Sequence, residues 1–164
     1  YHVRRLCLTG VGADRGPIGR LAVEGWRASL RNGDLEGFVW QLILSTHSAG
    51  YLTAHEGNVK AWVKAVVAAN SVDGLRGIVS THADDPTDPS HPSALVAAIC
   101  AGASVEEGLL IVGAEDIIAP PSEVRRLADA SGWRYAEVGG AAHAVPIEQA
   151  VSWRKAVLSF LEAD

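Results

Sequence analysis

The sequence predicts an α/β fold in which helices cover a mostly parallel sheet. The main observation is that the final 60 residues alternate between strand and helix patterns. Short connections between alternating strands and helices are typical of parallel sheets covered by helices. A second observation is an apolar strand pattern over 3–9, near the start of the chain. We therefore expect three strands of a sheet, with a long helical segment between the first strand and the second.

Each element follows from its pattern. The strand over 3–9 is predicted to be buried and to end at Gly10 and Gly12. Four amphipathic helices are predicted between 16 and 83, with Asn32-Gly33 as a stop and with Asp34 and Ser71 as N-caps. A connecting helix is predicted over 93–101, and the expected segments are a core strand and loop (1–15), a helical lid with connecting helix (16–104), and a strand-helix-strand-helix core (105–164). That core comprises strands at 108–113 and 133–138 and helices at 122–130 and 147–161.

Two of these helices have an apolar face that we expect to be buried, because apolar residues recur at helical spacing. In the first helix the face comprises Ile18, Leu21, Ala22, Trp26 and Leu30. In the closing helix it comprises Ile147, Ala150, Val151, Leu158 and Leu161.

The amino-acid composition limits the classes of protein and of partner to be considered. The 164 residues carry a net charge of −5, with 48% hydrophobic and 20% charged residues, which excludes extensive disorder and argues against nucleic acid as a partner. Two Cys provide no disulfide framework, and no apolar run approaches a membrane span, so we expect a cytoplasmic protein without a membrane partner. The chain contains no Met and begins with Tyr1, so we expect a trimmed start or a piece of a longer protein.

No cofactor is expected, because the sequence has neither a dinucleotide glycine pattern nor a phosphate loop. His82 and His91 flank three Asp in a polar, Pro-rich loop, and this donor set raises a metal hypothesis. Pro-spaced Asp and His on a loop are usually solvated, and no helical His-x-x-x-His face is present. We therefore predict no metal site.

Two ionisable residues follow strands of the predicted sheet. Asp116 follows the strand at 108–113, and His143 follows the strand at 133–138, each after small residues that let the backbone turn sharply. In parallel sheets catalytic groups gather at the carboxyl ends of strands. A carboxylate that accepts from one imidazole nitrogen fixes its tautomer and leaves the other nitrogen as a general base. The alternative is that both are simply polar loop residues.

The segments Gly113-Ala-Glu-Asp116-Ile-Ile-Ala-Pro-Pro and Gly140-Ala-Ala-His143-Ala-Val-Pro-Ile-Glu148 resemble the acid loop and histidine loop of the α/β-hydrolase superfamily. In that family the chain order is nucleophile, acid, histidine. The stretch Val3 to Gly12 resembles the sixth strand and its loop, and the helices after it then take the place of the lid. The resemblance implies that the chain is the carboxyl-terminal portion of the fold, with His143 as base and Asp116 as its orienting carboxylate. Glu115 and Asp14 are alternatives for the acid.

The nucleophile of that family is absent. No G-x-S-x-G elbow occurs in the 164 residues, and Ser48, Ser80 and Ser104 lack glycines at elbow spacing. Cys100, in Ala98-Ile-Cys-Ala-Gly102, imitates a cysteine elbow, but only 15 residues separate it from Asp116, too few for the elements that should intervene. A helix face in which Cys100 is buried is the better interpretation.

The resemblance therefore implies part of a serine- or cysteine-type hydrolase that acts on an ester, lactone or thioester of a small hydrophobic substrate. Aromatic residues of the helical segment are candidates to line its pocket, although each is more often a packing residue: Trp26, Phe38, Trp40 and Trp62. Unpaired backbone along Val3–Thr9 would be costly, so we expect this edge to pair with a missing amino-terminal half or with another copy. The alternatives are a non-catalytic small-molecule binding or interaction module and a truncated relative without a function of its own.

Overall fold

The computed structural model describes residues 3–80, 94, 98 and 105–163. In this part of the chain it contains three strands and eight helices. The strands are β1 (Val3–Thr9), β2 (Val105–Gly113) and β3 (Arg134–Val138). The helices are α1 (Gly16–Arg31), α2 (Leu35–Thr46), α3 (Ala49–Ala54), α4 (Glu56–Ala69), α5 (Val72–Ser80), α6 (Pro121–Ser131), α7 (Val145–Glu148) and α8 (Ala150–Leu161).

The described strands form one parallel sheet in the order β1-β2-β3. Thr9 of β1 lies opposite Ile111 of β2, and Gly113 at the end of β2 lies opposite Val138 at the end of β3. This confirms the predicted α/β fold with a parallel sheet. Because the register aligns the carboxyl ends of all three strands, the loops that follow them start at the same edge of the sheet.

Side chains of β2 point alternately to two apolar faces, as expected of a strand covered on both sides. Leu110 and Val112 pack against α6, whereas Leu109 and Ile111 pack on the face that α8 covers. β1 is only half-buried, because it lies at the edge of the described sheet. The prediction that β1 is fully buried is therefore not met within the described chain.

Helices α1 to α5 form a helical layer with a core of its own, which includes Val23, Leu30, Phe38, Val39 and Val63. Two predicted caps are confirmed. Asp34 accepts a hydrogen bond from the Gly37 amide at 2.8 Å, and the Ser71 hydroxyl accepts from the Gly74 amide at 3.2 Å. Helix α3 was not predicted, since its six residues are too few to produce a helical period.

The predicted buried face of α1 is partly wrong. Ile18 and Leu21 are 57% and 68% exposed, whereas Gly19 and Val23 are buried. The reason is a close approach of backbones: a Cβ at Gly19 would lie 2.6 Å from the Ile118 carbonyl oxygen. The glycine side of α1 therefore lies against the acid loop, and this orientation turns Ile18 and Leu21 outward.

The predicted closing helix is two helices, because the chain leaves helical geometry at Gln149 (φ −132°, ψ 52°). The apolar face predicted for it is also wrong, since four of its residues are exposed: Ile147, Val151, Leu158 and Leu161. The buried side of α8 is a second stripe with i, i+3, i+4, i+7 spacing: Trp153, Ala156, Val157 and Phe160. Both stripes are apolar, so periodicity could not choose between them.

Several predictions lie outside the described residues: the His82–His91 loop, Cys100, Ser104 and most of the connecting helix over 93–101. No helix in the described part of the chain is long and apolar enough to cross a membrane. Among the same residues, no group of three or more His, Cys, Asp or Glu side chains has the arrangement of a metal site.

Candidate active site

Three loops meet at the carboxyl edge of the sheet. Gly10 directly follows β1, Asp116 lies three residues after β2, and His143 lies five residues after β3. The acid loop and the histidine loop are joined by main-chain hydrogen bonds: the Ala114 amide donates to the Val138 carbonyl, and the Glu115 amide donates to the Ala141 carbonyl, both at 2.9 Å. The two loops are thus held together before any side chain is considered.

Gly113 permits this close approach. A Cβ at this position would collide with the carbonyl oxygens of Ala141 and Ala142. A residue with any side chain would therefore separate the acid loop from the histidine loop.

The Asp116 carboxylate is completely buried and accepts hydrogen bonds through both oxygens. Oδ1 accepts from the backbone amides of Ile118 at 2.8 Å and Ala119 at 2.9 Å, while Oδ2 lies 2.9 Å from Nδ1 of His143. The two amides fix the rotation of the carboxylate, so that Oδ2 faces the imidazole. A buried carboxylate with this set of donors is oriented before substrate binds.

The His143 ring remains accessible, with 31% of the side chain exposed. Since an ionised carboxylate only accepts hydrogen bonds, its contact with Nδ1 assigns the proton to that nitrogen. The lone pair of the neutral ring then lies on Nε2, which points away from Asp116. This is the arrangement of a general base.

Gly10 lies against the His143 ring and has φ +67°. A Cβ on Gly10 would lie 2.8 Å from Cε1 of His143 and 3.0 Å from Nδ1. Only glycine allows both the left-handed backbone and the contact with the ring. His143 follows β3, yet its ring reaches across the end of β2 to the end of β1.

Comparison with solved structures identifies the fold. An α/β-hydrolase from a Medee basin deep-sea metagenome library superposes with a TM-score of 0.79 at 18% identity, over 98% of this chain and 57% of that protein. The enol-lactonase from Burkholderia xenovorans superposes with a TM-score of 0.74 at 22% identity, over 98% of this chain and 56% of the lactonase. This chain has the fold of the carboxyl-terminal portion of an α/β-hydrolase.

A thermophilic esterase from Thermogutta terrifontis superposes with a TM-score of 0.67 at 17% identity, over 96% of this chain and 55% of the esterase. The chain therefore spans little more than half the length of these three proteins. No family model matches the sequence, and no curated protein matches it.

The two alternative acids have surroundings that differ from those of Asp116. Glu115 is exposed, next to the buried Asp116. Asp14 accepts from the Arg15 amide and from the Arg20 guanidinium, each at 2.6 Å. Burial raises the pKa of Asp14, but these two hydrogen bonds and the charge of Arg20 outweigh it and lower the pKa overall. The structure thus places Asp116 beside His143 and gives Asp14 a different partner.

Of the four aromatic candidates, Trp26 and Phe38 pack against each other, whereas Trp40 and Trp62 line separate grooves. Phe38 is 2% exposed in the core of the helical layer, and Trp26 packs edge-on against it with ring centroids 6.2 Å apart. Trp40 lines a groove of about 510 Å³ together with Leu44 and Lys60. Phe38 thus lies in the core of the helical layer, whereas Trp40 borders a groove.

Trp62 lines a second groove, of about 400 Å³. Its walls are apolar and aromatic: Ile43, His47, Tyr51, Trp62, Ala65, Val66 and Ile147. His47, Tyr51 and Trp62 stack at centroid distances of 5.6 to 6.4 Å. Ile147 belongs to α7, four residues after His143, so this groove is built partly by the segment that follows the histidine.

Sequence reasoning missed two residues of the site. The sequence pattern indicates Gly10 only as the end of a strand and Glu148 only as part of the histidine-loop pattern. Glu148 accepts from the Ala142 amide at 2.9 Å and from the Ser48 amide at 2.8 Å. The sequence offers a signal for Gly10, since a glycine that ends a buried strand is typical of a close backbone approach.

Proposed function

We propose that this chain supplies the acid and the histidine of a serine- or cysteine-type hydrolase that cleaves an ester, lactone or thioester of a small hydrophobic substrate. The observation that carries the proposal is the 2.9 Å contact between Nδ1 of His143 and a buried, doubly anchored Asp116, while 31% of the His143 side chain stays exposed. The superposition on an esterase and an enol-lactonase supports the same class of reaction.

In the proposed reaction, Nε2 of His143 accepts the proton of a serine hydroxyl or cysteine thiol as its oxygen or sulfur attacks the substrate carbonyl carbon. The tetrahedral intermediate collapses to an acyl-enzyme, and the imidazolium returns the proton to the leaving alcohol or thiol. Water then attacks the acyl carbon, again with His143 as base, and the acid product is released. Asp116 stabilises the imidazolium in both steps.

The nucleophile belongs, in this proposal, to a strand that pairs with the free edge of β1. That strand is supplied by a further half of the fold, because another copy of the chain could pair with the same edge but would bring no G-x-S-x-G elbow. Neighbouring strands are about 4.8 Å apart, so the end of such a strand would lie one spacing from Gly10. Since the His143 ring already lies against Gly10, a nucleophile there is within reach of Nε2. Cys7 of β1 is a poor candidate, because burial raises the pKa of its thiol.

The groove beside Trp62 is proposed to hold the hydrophobic part of the substrate. Its walls are apolar, and its volume lies within the range of about 300–1,000 Å³ that small-molecule sites occupy. Trp40, in the other groove, is the second candidate for substrate contact. We expect Trp62→Ala to raise KM for an apolar ester while kcat changes little. An unchanged KM would show that the substrate binds outside this groove.

The test compares two adjacent carboxylates. In a protein that contains this chain together with the nucleophile, we expect Asp116→Asn to lower kcat on an activated ester by roughly 10³- to 10⁴-fold. His143→Ala should cost on the order of 10⁴-fold or more. Glu115→Gln is the matched control, because it neutralises the exposed neighbour and should leave kcat unchanged. Equal turnover by all four proteins would refute the assignment and favour the non-catalytic binding module.

A further inference from the structure

Glu148 joins the histidine loop to the helical layer. Its Oε1 accepts the backbone amide of Ala142, the residue before His143, and its Oε2 accepts the backbone amide of Ser48, which lies 100 residues earlier in the chain. Ala142 and Ser48 are 2% and 3% exposed. The carboxylate thus satisfies two buried donors that come from different parts of the fold.

A second link lies on the other side of the histidine. The amide of Ala144 donates to the carbonyl of Thr46 at 2.9 Å. The residues on both sides of His143 are therefore tied to the segment 46–48, which connects α2 to α3. Movement of that segment would move the histidine loop with it.

The same two segments build the groove beside Trp62. His47 lies between Thr46 and Ser48, and its ring lines that groove. Ile147 is adjacent to Glu148 and lines the groove from the other side. A molecule in the groove would thus press on the residues next to both ends of the Glu148–Ser48 hydrogen bond.

We propose that Glu148 is a positioning residue, which holds His143 in place by bridging Ala142 and Ser48 and thereby couples occupancy of the Trp62 groove to the position of the imidazole. The catalytic consequence rests on the proposed function; the mechanical link does not. An amide could not replace the carboxylate, since a glutamine has one acceptor and one donor end where two amides must be accepted.

The first experiment uses this chain together with the segment or copy that pairs with β1. Glu148→Gln should change the imidazole nitrogen shifts of His143 and speed hydrogen exchange at the Ala142 and Ser48 amides by about tenfold or more, the loss expected for one net hydrogen bond. Glu162→Gln is the control, because it removes an exposed carboxylate at the end of α8. If both variants give the wild-type His143 signals, Glu148 does not position the ring.

A second pair of variants tests the link from the Ser48 end. Ser48 has φ −67° and ψ 151°, which proline adopts without strain, and His47 before it is extended. Ser48→Pro removes the amide that Glu148 binds, whereas Ser48→Ala keeps that amide and removes only the hydroxyl that caps α3. Ser48→Pro should shift the His143 signals as Glu148→Gln does, and Ser48→Ala should not. Identical spectra for the proline and alanine variants would overturn the proposal.

The third experiment measures catalysis in the protein that also carries the nucleophile. Glu148→Gln should lower kcat by about 10- to 100-fold with little change in KM, because a displaced base impairs chemistry rather than binding. The double variant Ser48→Pro/Glu148→Gln should be no worse than Glu148→Gln, since the two changes break one link. If the wild type hydrolyses no ester while the spectral shifts occur, the proposed function fails and the positioning role stands. An active enzyme whose kcat is unchanged by Glu148→Gln overturns the catalytic part of the inference.

Discussion

Gly10 offers the sharpest test of how the imidazole is held. Gly10→Ala would introduce a Cβ 2.8 Å from Cε1 of His143, whereas ordinary contacts begin at 3.4 Å, so the ring or the backbone at position 10 must shift, by about 0.6 Å if an ordinary contact is to be restored. The Nδ1–Oδ2 distance is 2.9 Å, and a displacement of that size weakens the bond to Asp116. The variant also forces alanine into a left-handed conformation at φ +67°.

The backbone cost of Gly10→Ala can be separated from its packing cost by comparison with Gly33. This glycine has φ +74° and no atom within 4 Å of the position that a Cβ would take. Gly33→Ala therefore bears only the backbone term, about 1–2 kcal/mol. Gly10→Ala should add roughly 1–3 kcal/mol for overpacking against the ring. With a urea m-value of about 2 kcal/mol/M, this excess corresponds to a midpoint about 0.5–1.5 M lower than that of Gly33→Ala.

Urea unfolding of both variants gives the stability difference, and nitrogen shifts of the His143 imidazole show whether the ring has moved. If the proposed function holds, we expect kcat of the protein that also carries the nucleophile to fall on the order of 10- to 100-fold for Gly10→Ala, since a misplacement of about 1 Å can cost about 100-fold. Gly33→Ala should retain full activity. Equal midpoints and unchanged His143 shifts for the two variants would refute the contact between Gly10 and the ring.

Two further predictions concern ionisation and assembly. Burial and the hydrogen bond to Glu137 raise the pKa of Tyr135 to about 12, so its contribution to stability is complete below pH 10 and is lost as the pH rises through 12. Absorbance titration should show a late tyrosinate component that Tyr135→Phe removes; titration of every tyrosine near pH 10 would contradict this. The free edge of β1 should be paired in solution, so light scattering and a denaturing gel should reveal either a second chain segment or a multimer. A single monomeric species of 17.2 kDa would rule this pairing out.

The sequence was most informative where a short, mostly apolar run ends at a glycine. The strand over 133–138 was predicted within one residue of β3, and 3–9 matches β1 at both ends. Prediction failed where two faces of a helix are equally apolar, as in α8. There the buried face is chosen by contacts with the sheet, such as the hydrogen bond from Nε1 of Trp153 to the Thr9 hydroxyl at 3.0 Å. No local pattern carries that information.

The candidate site divides in the same way. Asp116 and His143 can be picked out from the sequence because each follows a predicted strand, at the edge of a parallel sheet where catalytic groups gather. The residues that hold these two side chains in place are harder to predict from the sequence. The imidazole is fixed by Asp116 from the end of β2, by Gly10 from the end of β1, and through Ala142 by Glu148, whose other oxygen holds Ser48.

These restraints lie as far as 133 residues from His143 along the chain, and they act through an absent side chain and through main-chain amides. Residue type therefore indicates which groups are candidates for the proposed chemistry, whereas the precision of their placement depends on residues that have no part in it. This is why the variants that discriminate best are Gly10→Ala and Ser48→Pro. Each leaves Asp116 and His143 intact and changes only the position in which the imidazole is held.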